Sequence, residues 1–337
     1  MSRNRRRETF TGRAHAVGPR AGDPDRRALS REPGPGAPRC YDCFTEEMLR
    51  RIAGVARGRS LAAACAWWSA SAPALAAAEQ PEFVEFRSDD RQDTPLTGYL
   101  YRPAGPGPFP AVIALHGCSG LFSTEPPKRL SARHDDWAER LVRQGYVVFF
   151  PDSFGSRGVG NVCKTRPRPV SVGRRARDVQ GAIAWLARQP FVDRERLALL
   201  GWSHGATSVL QLADRRRPAG AEVRTAVAFY PGCQRFLADR SWRPQIPLTI
   251  LIGAADDWTP AEPCRRLAQR FPGMIDLVEY PGAFHGFDAP GQPLRLHTGL
   301  AFTASGTGKA HTGTEPQARR DAIREVKLQL DHAFARD

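Results

Sequence analysis

The chain has 337 residues, 41% of them hydrophobic, and a formal net charge of +14, enough length to bury one large core or two small ones. The charge rests on 45 arginines and four lysines and is unevenly spread: residues 1–47 carry 10 basic and 7 acidic side chains, residues 48–78 four basic and none acidic, and residues 79–337 35 basic against 28 acidic. With a body that is only weakly basic and no RNA-binding aromatic signature, zinc-finger spacing or basic helix, nucleic acid is excluded as a partner.

Residues 1–47 are rich in Arg, Pro and Gly with almost no apolar periodicity, and read as a disordered extension or as a start codon assigned too early. From Met48 the layout changes. MLRRIAGVARGRSLAAACAWWSASAPALAAAEQ has a basic start (Arg50, Arg51, Arg57, Arg59), an apolar stretch from Leu61 to Trp68 and the small-residue pattern Ala74-Leu75-Ala76, which is the organisation of a secretory signal peptide over 48–78. Pro73 interrupts the apolar run well short of the roughly 20 residues a membrane span needs. Lipoprotein anchoring at Cys65 is disfavoured because Arg57 and Arg59 would fall inside the apolar segment. The expectation is a mature protein that begins near Ala77, periplasmic or secreted, with no stable membrane insertion after processing. Four of the seven cysteines, Cys118, Cys163, Cys233 and Cys264, lie beyond that point, an even number suited to two disulfides in an oxidising compartment.

From residue 79 onward strand-like and helix-like runs alternate. Strands are predicted at 83–87, 97–103, 111–117, 146–152, 197–203, 225–231, 248–254 and 275–281, and helices at 135–144, 174–188, 204–214, 261–271 and 317–334. Strands that are apolar nearly throughout, separated by amphipathic helices, imply a mostly parallel sheet covered on both faces. No internal repeat or second composition domain interrupts 79–337, so one α/β domain is expected there.

The stretch LALLGWSHGATSVL, residues 197–210, runs a strand straight into a helix with Ser203 between Gly201 and Gly205. In such a nucleophile elbow the glycines let the turn close, and the serine stands at the carboxyl edge of the sheet where open α/β folds bind ligands. A serine hydroxyl needs a base and a carboxylate that orients the base. His285 in YPGAFHGFD follows the last predicted strand, and Asp256 and Asp257 in LIGAADDWTP follow the one before, the Ser-Asp-His chain order of α/β-hydrolases. His204 points away from the reacting face as the elbow's neighbour, and His297 and His311, in a polar, glycine-rich segment, read as surface or loop residues. No histidine pair has metal-ligand spacing with carboxylate support, and neither metal nor cofactor is called for. Oxyanion donors are expected from the backbone N–H of His204 and, in LHGCSG, of Cys118. Arg157 and Trp258 flank loops at the carboxyl edge, as pocket walls or as surface residues.

The combination HGCSGL, GYVVFFPDSFGSRG, FVDRERLALLGWSHGA, AFYPGC, LIGAADDWTPAEPC and YPGAFHGFDAP resembles the dienelactone hydrolase family of α/β-hydrolases from about residue 83 to the C-terminus. The resemblance implies an α/β-hydrolase fold with an eight-stranded, mostly parallel sheet and no large lid domain, and a triad of Ser203, Asp256 and His285. It favours Asp256 because the family acid lies four residues before a proline, here Pro260. Two departures stand out: the family nucleophile is a cysteine where this chain has Ser203, and a glutamate occupies the position of Gly117. The implied activity is serine hydrolysis of a small-molecule ester or lactone; a peptidase or acyltransferase would use the same triad, and a non-catalytic binding protein is the alternative from another class. Cys233 and Cys264 follow neighbouring strands at one sheet edge, so they are predicted to pair, leaving Cys118 with Cys163. Asp257 is expected to cap the helix near Pro260 or to face solvent.

Overall fold

The computed structural model describes residues 81–123, 129–216 and 223–335, all within one compact unit, Ser71–Asp337. The expected extension at 1–47 and signal peptide at 48–78 lie outside the described residues. Eight strands form one sheet: β1 Glu82–Arg87, β2 Pro95–Tyr101, β3 Phe109–Leu115, β4 Val147–Pro151, β5 Val192–Trp202, β6 Val223–Phe229, β7 Leu248–Gly253 and β8 Ile275–Tyr280, in the spatial order β1-β2-β4-β3-β5-β6-β7-β8. The β1–β2 and β2–β4 pairs are antiparallel and the remaining pairs parallel. This is the mostly parallel sheet expected from the alternating pattern, in the α/β-hydrolase-like arrangement that the resemblance implies.

The physical cause is legible in burial. β4 and β7 are buried at every residue, and β5 from Leu197 to Trp202, as strands with helices over both faces must be. The helices are α1 Ala132–Arg143, α2 Val172–Leu186, α3 His204–Leu212, α4 Gln234–Ala238, α5 Ala261–Arg270 and α6 Pro316–Phe334. α6 buries Ala318, Ala322, Val326, Leu330 and Phe334, a four-residue spacing that keeps one stripe against the sheet. It starts with Pro316 after Glu315, whose carboxylate accepts the N–H groups of Gln317 and Ala318, a first turn that proline suits because its missing N–H has no intrahelical partner. Among the described residues no helix is long and apolar enough to cross a membrane.

One element departs from the expected loop. Arg295–His297 (β9) and Ala310–Thr312 (β10) pair as an antiparallel ribbon, and Thr312 bridges in parallel to His285. Each strand is only three residues long, and alternation over three residues is too short to be distinguished from a loop in a sequence.

Candidate active site

The sharp turn between β5 and α3 fixes Ser203. Its backbone has φ 53° and ψ −111°, a conformation that costs a non-glycine residue of order 1–3 kcal/mol and persists only where the surroundings enforce it. They do so here: Ser203 donates its N–H to the Phe229 carbonyl (2.9 Å), and its own carbonyl accepts from the N–H (2.8 Å) and hydroxyl (2.9 Å) of Thr207. The flanking glycines follow from contact distances. A Cβ at Gly205 would lie 2.0 Å from the Leu115 carbonyl oxygen, and one at Gly201 2.8 Å from the Ala206 nitrogen.

His285 sits just beyond β8 and Asp256 just beyond β7. His285 Nδ1 is 2.9 Å from Asp256 Oδ2, so Nδ1 carries a proton toward the carboxylate when the imidazole is neutral. Asp256 is buried and is held on its other oxygen by the N–H groups of Trp258 (2.9 Å) and Thr259 (2.8 Å). The Thr259 hydroxyl lies 3.1 Å from both Asp256 Oδ2 and His285 Nδ1 and donates to the Tyr230 carbonyl at 3.0 Å. The imidazole ring is packed against Tyr230 and Trp258, with centroids at 4.4 and 4.8 Å. Thr259 and Tyr230 belong to no triad pattern in the sequence; the local signal for Thr259 is the Asx-type turn Asp256-Asp257-Trp258-Thr259.

Asp257 does not cap the helix; its side chain is partly exposed and has a partner that was not expected. Its carboxylate accepts from the backbone N–H of His311 and pairs with His311 Nδ1, each at 2.8 Å, so it anchors β10, while α5, with Pro260 at its N-cap position, has no side-chain cap. His311 and His297 are ribbon residues with defined partners. His297 Nε2 lies 2.9 Å from the Thr312 hydroxyl.

Cys118 and Cys163 form a disulfide, as do Cys233 and Cys264, with Cα separations of 4.9 and 5.1 Å. The first ties the loop after β3 to the loop after β4, and the Val162 N–H donates to the Cys118 carbonyl at 2.9 Å. Among the described residues the N–H groups of Cys118 and His204 donate to no protein acceptor; for His204 this follows from its place at the first position of a helix.

Two buried polar clusters support the corner. Asp288 accepts from the indole N–H of Trp137 (2.9 Å) and Trp202 (2.8 Å) and from the Tyr230 hydroxyl (2.6 Å), and Arg133 Nε is 3.3 Å away. Burial, above all, keeps the Tyr230 phenol well above its ordinary pKa and therefore a donor. Behind His204, fully buried Arg175 donates to His204 Nδ1 at 3.1 Å. Arg157 lies 2.8–2.9 Å from Asp178 in a two-pronged pair, so it acts as a structural cation and is not a wall of either cavity described below.

Ser203 stands between two cavities and Trp258 lines both. The first, about 490 Å³, is bounded by His285, Cys118, Tyr230, Arg133, Lys164 and His297 among others. The second, about 970 Å³, is bounded by His204, Thr207, Arg166, Arg168, Arg235 and Phe302 among others.

A sequence profile described as the Dienelactone hydrolase family matches residues 96–333, more than half of the chain. The chain belongs to the dienelactone hydrolase family. Among relatives in this family, a putative carboxymethylenebutenolidase from Synechocystis is 24% identical over 217 residues, covering 58% of this chain and 82% of its own length. A probable 2-oxo-3-(5-oxofuran-2-ylidene)propanoate lactonase from Bradyrhizobium is 26% identical over 211 residues, covering 56% and 77%. The fold is shared with a putative dienelactone hydrolase from Klebsiella pneumoniae (TM-score 0.54, 19% identity), covering 74% of this chain and 98% of that one. Within this dienelactone hydrolase frame, a Cβ at Gly117 would lie 3.7 Å from the Ser203 Cβ, so a side chain at this position would stand against Ser203.

Proposed function

We propose that this chain is a serine hydrolase that cleaves a small-molecule ester or lactone through an acyl-enzyme on Ser203. Membership of the dienelactone hydrolase family supports the class of reaction. The observation that carries the residue assignment is that strained Ser203 and His285 line one cavity, with His285 Nδ1 2.9 Å from buried Asp256.

In this reading His285 takes the Ser203 proton through Nε2 as the hydroxyl attacks the carbonyl carbon. Asp256 holds the Nδ1–H tautomer and stabilises the imidazolium that forms. The N–H groups of Cys118 and His204 donate to the oxyanion, which a helix N-terminus also favours. His285 then protonates the leaving oxygen, and a water activated by the same imidazole releases the acid and restores Ser203. The catalytic unit is residues 79–337. Two disulfides are compatible with an oxidising compartment, and we place the enzyme in the periplasm or outside the cell.

The test is a fluorophosphonate probe with an ester and lactone panel on purified protein. Ser203 is expected to be the labelled residue and Ser203→Ala to lose both labelling and turnover. Labelling elsewhere, or turnover that survives Ser203→Ala, overturns the assignment.

A further inference from the structure

Arg175 is not used by the mechanism above. It is entirely buried on α2, and its only hydrogen-bonded side chain among the described residues is His204, whose Nδ1 accepts from Nη1 at 3.1 Å; Nε and Nη2 have no partner there. Burial lowers its pKa to about 9, opposed by the carboxylates of Asp178 and Asp152, so the guanidinium is charged at neutral pH. A guanidinium can only donate. His204 Nδ1 must therefore be an unprotonated acceptor, and the proton of the neutral ring lies on Nε2. A second charge on the ring would be unfavourable, since burial and then Arg175 hold the His204 pKa well below its ordinary value.

His204 is nearly buried, packed against Phe154, and is one of the residues that line the 970 Å³ cavity. Among the described residues no side chain accepts from His204 Nε2, the ring nitrogen that Arg175 leaves protonated. The other ionisable groups in the wall are Arg166, Arg168 and Arg235, all donors, and no aspartate or glutamate lines it. Arg166 and Arg168 stand over the Phe302 ring at 4.3 and 4.5 Å.

Which part of a substrate enters there follows from proton transfer. The leaving oxygen must reach His285, and His285 lines the 490 Å³ cavity and not the larger one. The alcohol limb therefore lies on the His285 side and the acyl limb on the His204 side.

We propose that His204 is a substrate-binding donor for an acyl limb carrying an oxygen acceptor, and that Arg175 is the positioning residue that fixes its Nε2–H tautomer. The proposal rests on Ser203 being the nucleophile. His204 then serves the reaction twice, through its backbone N–H at the oxyanion and through its side chain one cavity further on.

The experiment compares p-nitrophenyl 5-methoxypentanoate with the near-isosteric p-nitrophenyl heptanoate, so that intrinsic reactivity cancels in the ratio of kcat/KM between variants. His204→Phe keeps the backbone N–H and is expected to lower the methoxy-to-alkyl ratio about tenfold, the effect of one hydrogen bond, chiefly through KM. Arg175→Lys is expected to retain most of the ratio and Arg175→Met to lose it. Because Arg175→Met could fail to fold, imidazole nitrogen NMR of the wild-type protein is the second arm, with the Nε2–H tautomer expected at His204 between pH 6 and 8. A ratio unchanged in His204→Phe, or a protonated Nδ1 at His204, overturns the proposal. Labelling of the wild type at Ser203 together with an unchanged ratio in His204→Phe defeats this inference alone, whereas wild-type protein that does not label at Ser203 overturns the hydrolase reading and the acyl-limb assignment with it.

Discussion

The Asp257 carboxylate holds His311 at two points, the backbone N–H and Nδ1, each at 2.8 Å. One residue earlier, Asp256 is turned the other way and meets His285. Asp256 opens a tight turn that closes on its own carboxylate through the N–H groups of Trp258 and Thr259, and the two adjacent carboxylates leave that turn toward two different elements: one orients an imidazole at the sheet edge, the other ties down the ribbon that closes the cavity beside it.

Asparagine at each position separates the two roles. Asp256→Asn is expected to fold and to lower kcat by roughly 10⁴-fold, as an amide favours the wrong imidazole tautomer. Asp257→Asn removes a partly exposed contact worth about 1 kcal/mol and loosens β10, which carries Thr312 on the cavity wall. Its expected signature is a several-fold rise in KM with kcat within tenfold of wild type. Steady-state kinetics on the two proteins decide the matter; reversed signatures would mean the carboxylates are misassigned.

The Cys118–Cys163 bridge closes a separation of 45 residues and Cys233–Cys264 one of 31. Each is expected to contribute about 2–4 kcal/mol to stability, measurable by urea unfolding of the paired Cys→Ala variants. Only the first joins the loop bearing the Cys118 N–H to a cavity wall. Removing it should lower kcat well beyond the effect of removing the second, under conditions where both variants remain folded.

Asp288 receives two indole N–H groups and a phenol hydroxyl in a site with no exposure. Asp288→Ala would orphan these donors and leave Arg133 without its carboxylate, at a cost of about 3–5 kcal/mol. A variant that melts within 1–2 °C of the wild type would contradict this account of the cluster.

Stability should fall on mild acidification. His116, His134 and His204 all have pKa values held below the ordinary value near 6.5, by burial first and by neighbouring arginines next, with His134 lowered to about 3. A group whose folded pKa is depressed contributes stability that is present above the unfolded pKa and lost as the pH falls toward the folded one. Each such histidine removes about 1.4 kcal/mol per pH unit below 6.5. Urea midpoints measured between pH 7 and 5 should therefore decline with a slope of more than one proton taken up on unfolding, and replacing His134 by Gln should reduce that slope by about one. A flat profile would mean that these rings take up protons in the folded protein as readily as in the unfolded one.

Sequence alone determined the alternation of buried strands and amphipathic helices, the elbow at Ser203 and the order Ser-Asp-His, because each is written in local residue types: unbroken apolar runs, glycines two positions either side of a serine, and polar residues immediately after strands. It also paired the cysteines, since the chain order of strands limits which loops can meet at one edge. The partners of Asp257 and Asp288, the ribbon at 295–312 and the buried contact between Arg175 and His204 were decided only in three dimensions. They join residues 13 to 151 positions apart, and a side chain that is buried because of what folds over it carries no periodicity of its own. Arg175 was one arginine among 45 in the sequence; only its complete burial against His204 distinguishes it from the rest.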